Sequence, residues 1–98
     1  MKSTIELLDL AKHAQGDISD YRIAQILGVS QPTVSAYRIG RAYPSNPIAA
    51  RLAELAGLDP EAAICWVNIE RARDETEAKT WLRVLSRVER TKPARLAS

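Results

Sequence analysis

Apolar residues recur at intervals of three and four along most of the chain, and glycine, proline and small polar residues punctuate the runs. That spacing puts them on one face of successive helices. In the first run Ile5, Leu8 and Ala11 stand with Leu7, Leu10 and Ala14, which predicts a helix over residues 3–14. Ser3 and Glu6 have the spacing of a capping box at its start, and Gly16 ends it. Asp17 to Ser19 form a connection, with Ser19 as the next cap. Residues 20–40, DYRIAQILGVSQPTVSAYRIG, then read as a short helix, a tight turn and a second helix. The segment RAYPSN follows as a loop. Asn46 is expected to cap a fourth helix with Pro47 at its first position, Ile48, Leu52, Leu55 and Ala56 as its buried stripe, and Gly57 as its stop. Asp59 and Pro60 open a fifth helix to about Arg73, with a wide apolar face across Ala63, Ile64, Trp66, Val67 and Ile69. A sixth runs over residues 75–89, with Ala78, Trp81, Leu82, Leu85 and Val88 on one side. The final TKPARLAS is polar, broken by Pro93, and expected to be disordered.

The stretch over residues 20–40 has the spacing of a helix-turn-helix. Ala24 has the small side chain needed where the two helices approach. Gly28 stands where the chain must leave a helix through a left-handed residue, a conformation that glycine adopts at least cost. Val34 puts a stiff apolar group on the inner face of the second helix, and Ile23, Leu27, Val29 and Tyr37 can pack around it. Ser30 caps that helix, and Pro32 in its first turn loses no helical hydrogen bond.

Long alternating β-branched runs are missing, so the predicted fold class is all-α. A unit of residues 1–58 would precede a helical hairpin at 59–90 and a basic tail at 91–98. The hairpin is too short to fold alone and must pack on the front unit, on a second copy, or on both. With 98 residues, 46% hydrophobic and 27% charged, the chain has an ordinary globular balance and room for a small core. A net charge of +2 permits nucleic-acid binding without arguing for it. Cys65 is the single cysteine, which fits a reducing cytoplasm. Glu6 and Asp9 interrupt the apolar residues of the N-terminus, which does not read as a signal peptide, and no run of about 18 apolar residues offers a membrane span. The expectation is a soluble, cytoplasmic protein without membrane association.

Residues 19–45 resemble the helix-turn-helix of the lambda repressor and Cro family of phage and bacterial regulators. Ser19, Ile23-Ala24, Leu27-Gly28-Val29-Ser30-Gln31, Thr33-Val34-Ser35, Gly40-Arg41 and Pro44-Ser45 carry the resemblance, and IAARLAELAGLDP is similar to that family's fourth helix. It covers about the first sixty residues and implies a lambda-repressor-like bundle, here extended by the C-terminal hairpin. In that family the second motif helix enters the DNA major groove. By position, the resemblance implies base contacts from Gln31, Pro32, Ser35 and Ala36. Gln31 would pair with adenine or bond a guanine acceptor, and Pro32 and Ala36 would offer apolar contact to a thymine methyl. It further implies backbone contacts from Thr33, Arg38, Arg41, Tyr43, Ser45 and Asn46. Two positions depart from the family: Arg38 stands where an acidic residue is usual, and the charge of Asp20 would repel a phosphate.

Two copies would double the few bases that one helix reads, so a homodimer on a palindromic operator is expected. The hairpin, through Trp66, Ile69, Trp81, Leu85 and Val88, is its candidate interface. Both tryptophans read as core and dimer contacts rather than base-stacking platforms. Arg83, Arg87, Arg90, Lys92 and Arg95 against Glu89 suit either a basic arm on DNA or a solvated helix end. His13 is isolated and fits a helix C-terminus, and Cys65 fits a small buried hydrophobe. No nucleophile stands with a base, and no metal-ligand spacing or phosphate loop occurs, so no enzyme activity, metal, cofactor or small-molecule effector is expected. The chain therefore reads as a DNA-binding transcriptional regulator, most simply a phage-type repressor of double-stranded DNA. The alternative is an antitoxin or other protein-interaction module, suggested by the broad apolar face of residues 62–69.

Overall fold

The structure, a computed structural model, describes residues 1–91. Among them are six helices and no strand: α1 (Thr4–Ala14), α2 (Asp20–Leu27), α3 (Gln31–Arg38), α4 (Asn46–Ala56), α5 (Pro60–Glu70) and α6 (Glu75–Thr91). Of the tail expected at 91–98, residues 92–98, with Lys92 and Arg95, lie outside the described residues, whereas Thr91 belongs to α6. No helix among the described residues is long and apolar enough to cross a membrane.

Local chemistry sets most of the boundaries. Ser3 Oγ accepts the Glu6 N–H at 3.1 Å, and the Ser3 N–H donates to the Glu6 carboxylate at 2.9 Å, so the capping box closes on α1. The same Ser3 bonds hold the Glu6 carboxyl below its usual range. Ser19 and Ser30 accept N–H groups three residues on and cap α2 and α3. α2 stops at Gly28, whose φ is +73°. The Gly28 N–H returns to the Gln25 carbonyl and that of Val29 to the Ala24 carbonyl, which satisfies two helix-end acceptors.

Three boundaries differ from the sequence expectation. α4 is capped by Ser45, not Asn46: Ser45 Oγ accepts the Ile48 N–H at 3.4 Å, and Asn46 is the first helical residue. α5 ends at Glu70 rather than near Arg73, because Asp74 opens the next helix by accepting the Glu77 N–H at 2.8 Å. α6 continues past Glu89 to Thr91.

Three apolar clusters hold the helices together. In the first, Leu8 and Ala11 of α1 meet Ile23, Ala24 and Leu27 of α2, Val34 of α3 and Leu52 of α4. The second joins Leu7 of α1, Ala49 and Ala53 of α4, and Ala63 and Val67 of α5. In the third, Ala62 and Cys65 of α5 meet Leu85 of α6, with Trp66, Ile69, Trp81, Val84 and Val88 around them. The fully buried α4 residues are Ala49, Leu52 and Ala53. Of the stripe expected there only Leu52 is among them, and Ile48, Leu55 and Ala56 pack partly buried against the first cluster. The two alanines let α1 and α5 come close on that side. Ile5 and Leu10, on the expected inner face of α1, are exposed instead.

The wide apolar face of α5 is thus covered within the chain, by α1 and α4 on one side and α6 on the other. The hairpin packs on the front unit, and Leu58 at the expected boundary packs into the second cluster. Cys65 is buried and its thiol is pushed up by desolvation, as suits a small hydrophobe. A polar tie runs alongside: Thr4, 2% exposed, donates its N–H to the Glu70 carboxylate at 3.0 Å, and its hydroxyl bonds the same oxygen. A carboxylate at the start of α1 also suits that helix dipole.

Leu52 is fully buried in the first cluster. Leu52→Ala is expected to lower stability by about 3 kcal/mol, the scale of a leucine cavity. Urea unfolding followed by circular dichroism should show an earlier midpoint at an unchanged slope.

Candidate nucleic-acid interface

α3 is held by one face. Val34 is fully buried and Tyr37 is 4% exposed, with its phenol pushed up by desolvation. The opposite face is open. Gln31, Pro32, Ser35 and Ala36 line a concavity of about 420 Å³ together with Ile39 and Arg41. The four residues expected to face bases therefore share one surface. The Gln31 amide and Ser35 hydroxyl hold no hydrogen bond to other described residues, so both are available to an external ligand. Ile39, 67% exposed, is the residue that sequence reasoning missed. Its signal was its place after Pro32 and Ala36 on one helical side, off the stripe of Val34 and Tyr37.

A cluster of charges fixes the other end of α3. Arg38 donates from Nε to Asp20 Oδ2 at 2.9 Å and from Nη2 to Asp20 Oδ1 at 2.8 Å. Its Nη2 also lies 2.9 Å from Asp9 Oδ1, and Lys12 Nζ lies 2.6 Å from Asp20 Oδ1. α1, α2 and α3 are tied together by two cations and two carboxylates, and the charges balance. The Arg38 hydrogen bonds hold the Asp20 carboxyl far below its ordinary value, with Lys12 adding to them against desolvation. Asp20 in turn holds the Arg38 guanidinium well above its own. The two departures from the family pattern are thus partners. Asp20 is neutralised at close range, and the charge of Arg38, assigned from sequence to the DNA backbone, is engaged inside the fold.

The other expected backbone residues differ in what they leave free. Arg41 is exposed at the edge of the α3 concavity, and Tyr43 is exposed beyond it. The Thr33 hydroxyl lies 2.7 Å from Ser30 Oγ, within the cap. Ser45 Oγ serves the Ile48 N–H, and Asn46 Oδ1 accepts from Asn68 Nδ2 at 2.9 Å. Pro47 has no N–H, and that of Ala49 goes to the Ser45 carbonyl. The first turn of α4 therefore presents the Asn46 N–H alone to a phosphate.

The residues expected at a dimer interface gather within the single chain. Leu85 is 6% exposed between α5 and α6, and Trp66, Ile69, Trp81 and Val88 pack half-buried around that contact. The Trp66 Nε1–H is buried with no acceptor among the described residues. His13 Nδ1 lies 2.7 Å from Asp17 Oδ1 on the exposed end of α1. No group of three or more His, Cys, Asp or Glu among the described residues is arranged to hold a metal ion. No protein-family model matches the chain, and neither a curated protein nor a solved structure does.

Asp20→Asn is expected to cost about 1–2 kcal/mol at neutral pH, less than a fully buried pair because 31% of the side chain remains in solvent. The folded-state pKa of Asp20 lies below its unfolded value of 3.8, so the pair stabilises the protein above that pH and fades as pH falls toward the folded value. Urea midpoints of parent and variant should differ at pH 7 and converge on acidification below about pH 4.

Proposed function

We propose that the protein is a sequence-specific DNA-binding transcriptional regulator, in which α2 and α3 form a lambda-repressor-like helix-turn-helix and the C-terminal hairpin extends the bundle. α3 is the recognition helix. The observation that carries this reading is the free face of α3: Gln31, Pro32, Ser35 and Ala36 open onto one concavity with Arg41, while Val34, Tyr37 and Arg38 lock the helix from behind. A helix anchored on one side and bearing an unpaired amide and hydroxyl on the other suits the major groove. Gln31 reads adenine or guanine, Pro32, Ala36 and Ile39 meet thymine methyls, and Arg41 takes a phosphate at the groove edge.

In this proposal the protein acts as a homodimer on a palindromic operator, because direct readout from one α3 is modest. Trp66, Ile69, Trp81 and Val88, which keep part of their surface, are the hairpin residues that would meet a second copy. Leu85 supports them from inside. The working mode is occupancy of DNA by a phage-type repressor in the cytoplasm, with no catalytic step and no cofactor. The alternative interaction module draws on the same stretch, residues 62–69, of which the chain's own helices cover the larger part.

Selection of bound duplexes from random DNA at near-physiological salt tests the proposal. The expected result is an inverted repeat with half-site centres about one helical turn, roughly 34 Å, apart. Weak, salt-sensitive binding with no enriched sequence would overturn it and return attention to a protein partner. On the selected duplex, Gln31→Ala is expected to lose about 1–3 kcal/mol of specific affinity, with nonspecific affinity nearly unchanged. Light scattering across a concentration series should show a dimer.

A further inference from the structure

The turn between α5 and α6 carries a second open concavity, of about 570 Å³, lined by Tyr43, Arg71, Arg73 and Glu77. Tyr43 belongs to the α3–α4 loop, two residues beyond Arg41, which lines the concavity on α3. The two arginines come from the hairpin, outside the segment that resembles a DNA-binding family.

Arg71 is fixed without being neutralised. Its Nε and Nη2 both donate to Asn68 Oδ1, at 3.1 and 2.7 Å. Asn68 is 3% exposed, and its Nδ2 donates to Asn46 Oδ1 at 2.9 Å and to the Ile64 carbonyl at 2.8 Å. A buried, fully bonded amide therefore ties the guanidinium to the first residue of α4. Because the partner is neutral, Arg71 keeps its full charge and has donors to spare. Arg38 shows the contrast, with the carboxylates of Asp9 and Asp20 on its guanidinium. Arg73 is exposed beside it, and neither Arg71 nor Arg73 enters an ion pair among the described residues. Glu77 is the one acidic lining residue, and its carboxylate accepts the Arg73 backbone N–H at 3.3 Å. The lining sets two cations against one carboxylate, with the Tyr43 hydroxyl as a further donor, and the neighbouring acids are engaged elsewhere: Glu70 on Thr4, Asp74 on the Glu77 N–H and Glu75 on Lys79.

We infer that Arg71, Arg73 and Tyr43 form a phosphate clamp that holds the DNA backbone alongside the base-reading face of α3. This rests on the DNA-binding proposal and extends it: the hairpin contributes to DNA affinity directly. The ligand class is the phosphodiester backbone of duplex DNA. Arg71, held by Asn68, has less side-chain freedom to lose on binding than a free arginine. A clamp of this kind adds affinity and register on any sequence, and leaves discrimination to α3.

The test measures affinity by fluorescence anisotropy as a function of salt, on the selected duplex and on a scrambled duplex of equal length. The variants are R71A/R73A, Arg73→Ala alone, and an R83A/R87A control that removes the same charge from exposed residues of α6. R71A/R73A is expected to weaken both duplexes roughly tenfold, keep their affinity ratio, and flatten log K against log salt by roughly 1.8, two phosphates' worth. Arg73→Ala, whose side chain makes no hydrogen bond or ion pair with the other described residues, should flatten it by roughly 0.9 with an unchanged melting temperature, which excludes misfolding as the cause. The control should flatten it less. Equal slopes for R71A/R73A and the control would overturn the clamp, and so would an unchanged slope for Arg73→Ala. If those results came with a parent that still prefers its selected duplex and a Gln31→Ala variant that loses the preference, the clamp alone would fail. A parent with no preference for any duplex would overturn the regulator proposal itself.

Discussion

The Asp20–Arg38 pair is the constraint on which the placement of α3 depends. A helix of eight residues has little stability of its own and must be held by tertiary contacts. Val34 and Tyr37 supply the apolar part from the middle of α3, but apolar contact is non-directional and leaves a short helix able to pivot. Arg38 removes that freedom at the C-terminal end. Its two parallel hydrogen bonds to Asp20 fix an angle as well as a distance, and its third contact reaches Asp9 on α1. Lys12 completes the balance, so the cluster pins three helices without leaving an unpaired charge half-buried among them.

α5 has the corresponding role for the second half. Its two sides are both apolar, which would be a liability on a surface helix, and the structure uses them for two different neighbours. Ala63 and Val67 meet Leu7, Ala49 and Ala53, while Ala62 and Cys65 meet Leu85. The small residues matter as much as the large ones, because alanine against alanine brings α4 and α5 together closely. The polar ties run along the same seam: Glu70 to Thr4, and Asn68 to Asn46. The hairpin is thus joined to the front unit by packing and by partly buried hydrogen bonds that have defined partners, which orients it relative to α3.

Much of this was legible in the sequence where the signals are local. Ser3, Ser19, Ser30, Gly28 and Gly57 each act within four residues of their own position, so spacing alone locates the helix ends they make. Ser45 and Asn46 could not be ranked that way. Both are good caps, and proline is tolerated at either of the first two helical positions, so the choice falls to the tertiary bond that draws Asn46 toward Asn68. The end of α5 was missed for a related reason: no glycine or proline marks it, and the stop lies in the Asp74 cap of the next helix. Periodicity announced the wide face of α5 but cannot say which element covers it. The Asp20–Arg38 pair spans eighteen positions and two helices, beyond the reach of any pattern within one helix. For the candidate site, position along α3 was enough to gather Gln31, Pro32, Ser35 and Ala36. Ile39 escaped because an apolar residue at a helix end reads as core until its exposure is known.

The arginines show why composition alone says little about what a protein binds. A net charge of +2 is nearly featureless, yet the chain divides its guanidiniums into distinct states. Arg38 faces two carboxylates, which balance its charge at close range. Arg71 is held by a neutral amide instead, through two hydrogen bonds, so its charge is positioned without a carboxylate upon it. Arg41 is exposed at the rim of the α3 concavity. For an anionic partner the identity of each arginine's neighbour therefore matters more than the number of arginines. A carboxylate neighbour turns the residue into a structural strut, whereas an asparagine neighbour turns it into a preorganised donor. Which of the two has been built is decided by Asp20 and Asn68, residues that a search for basic patches would pass over.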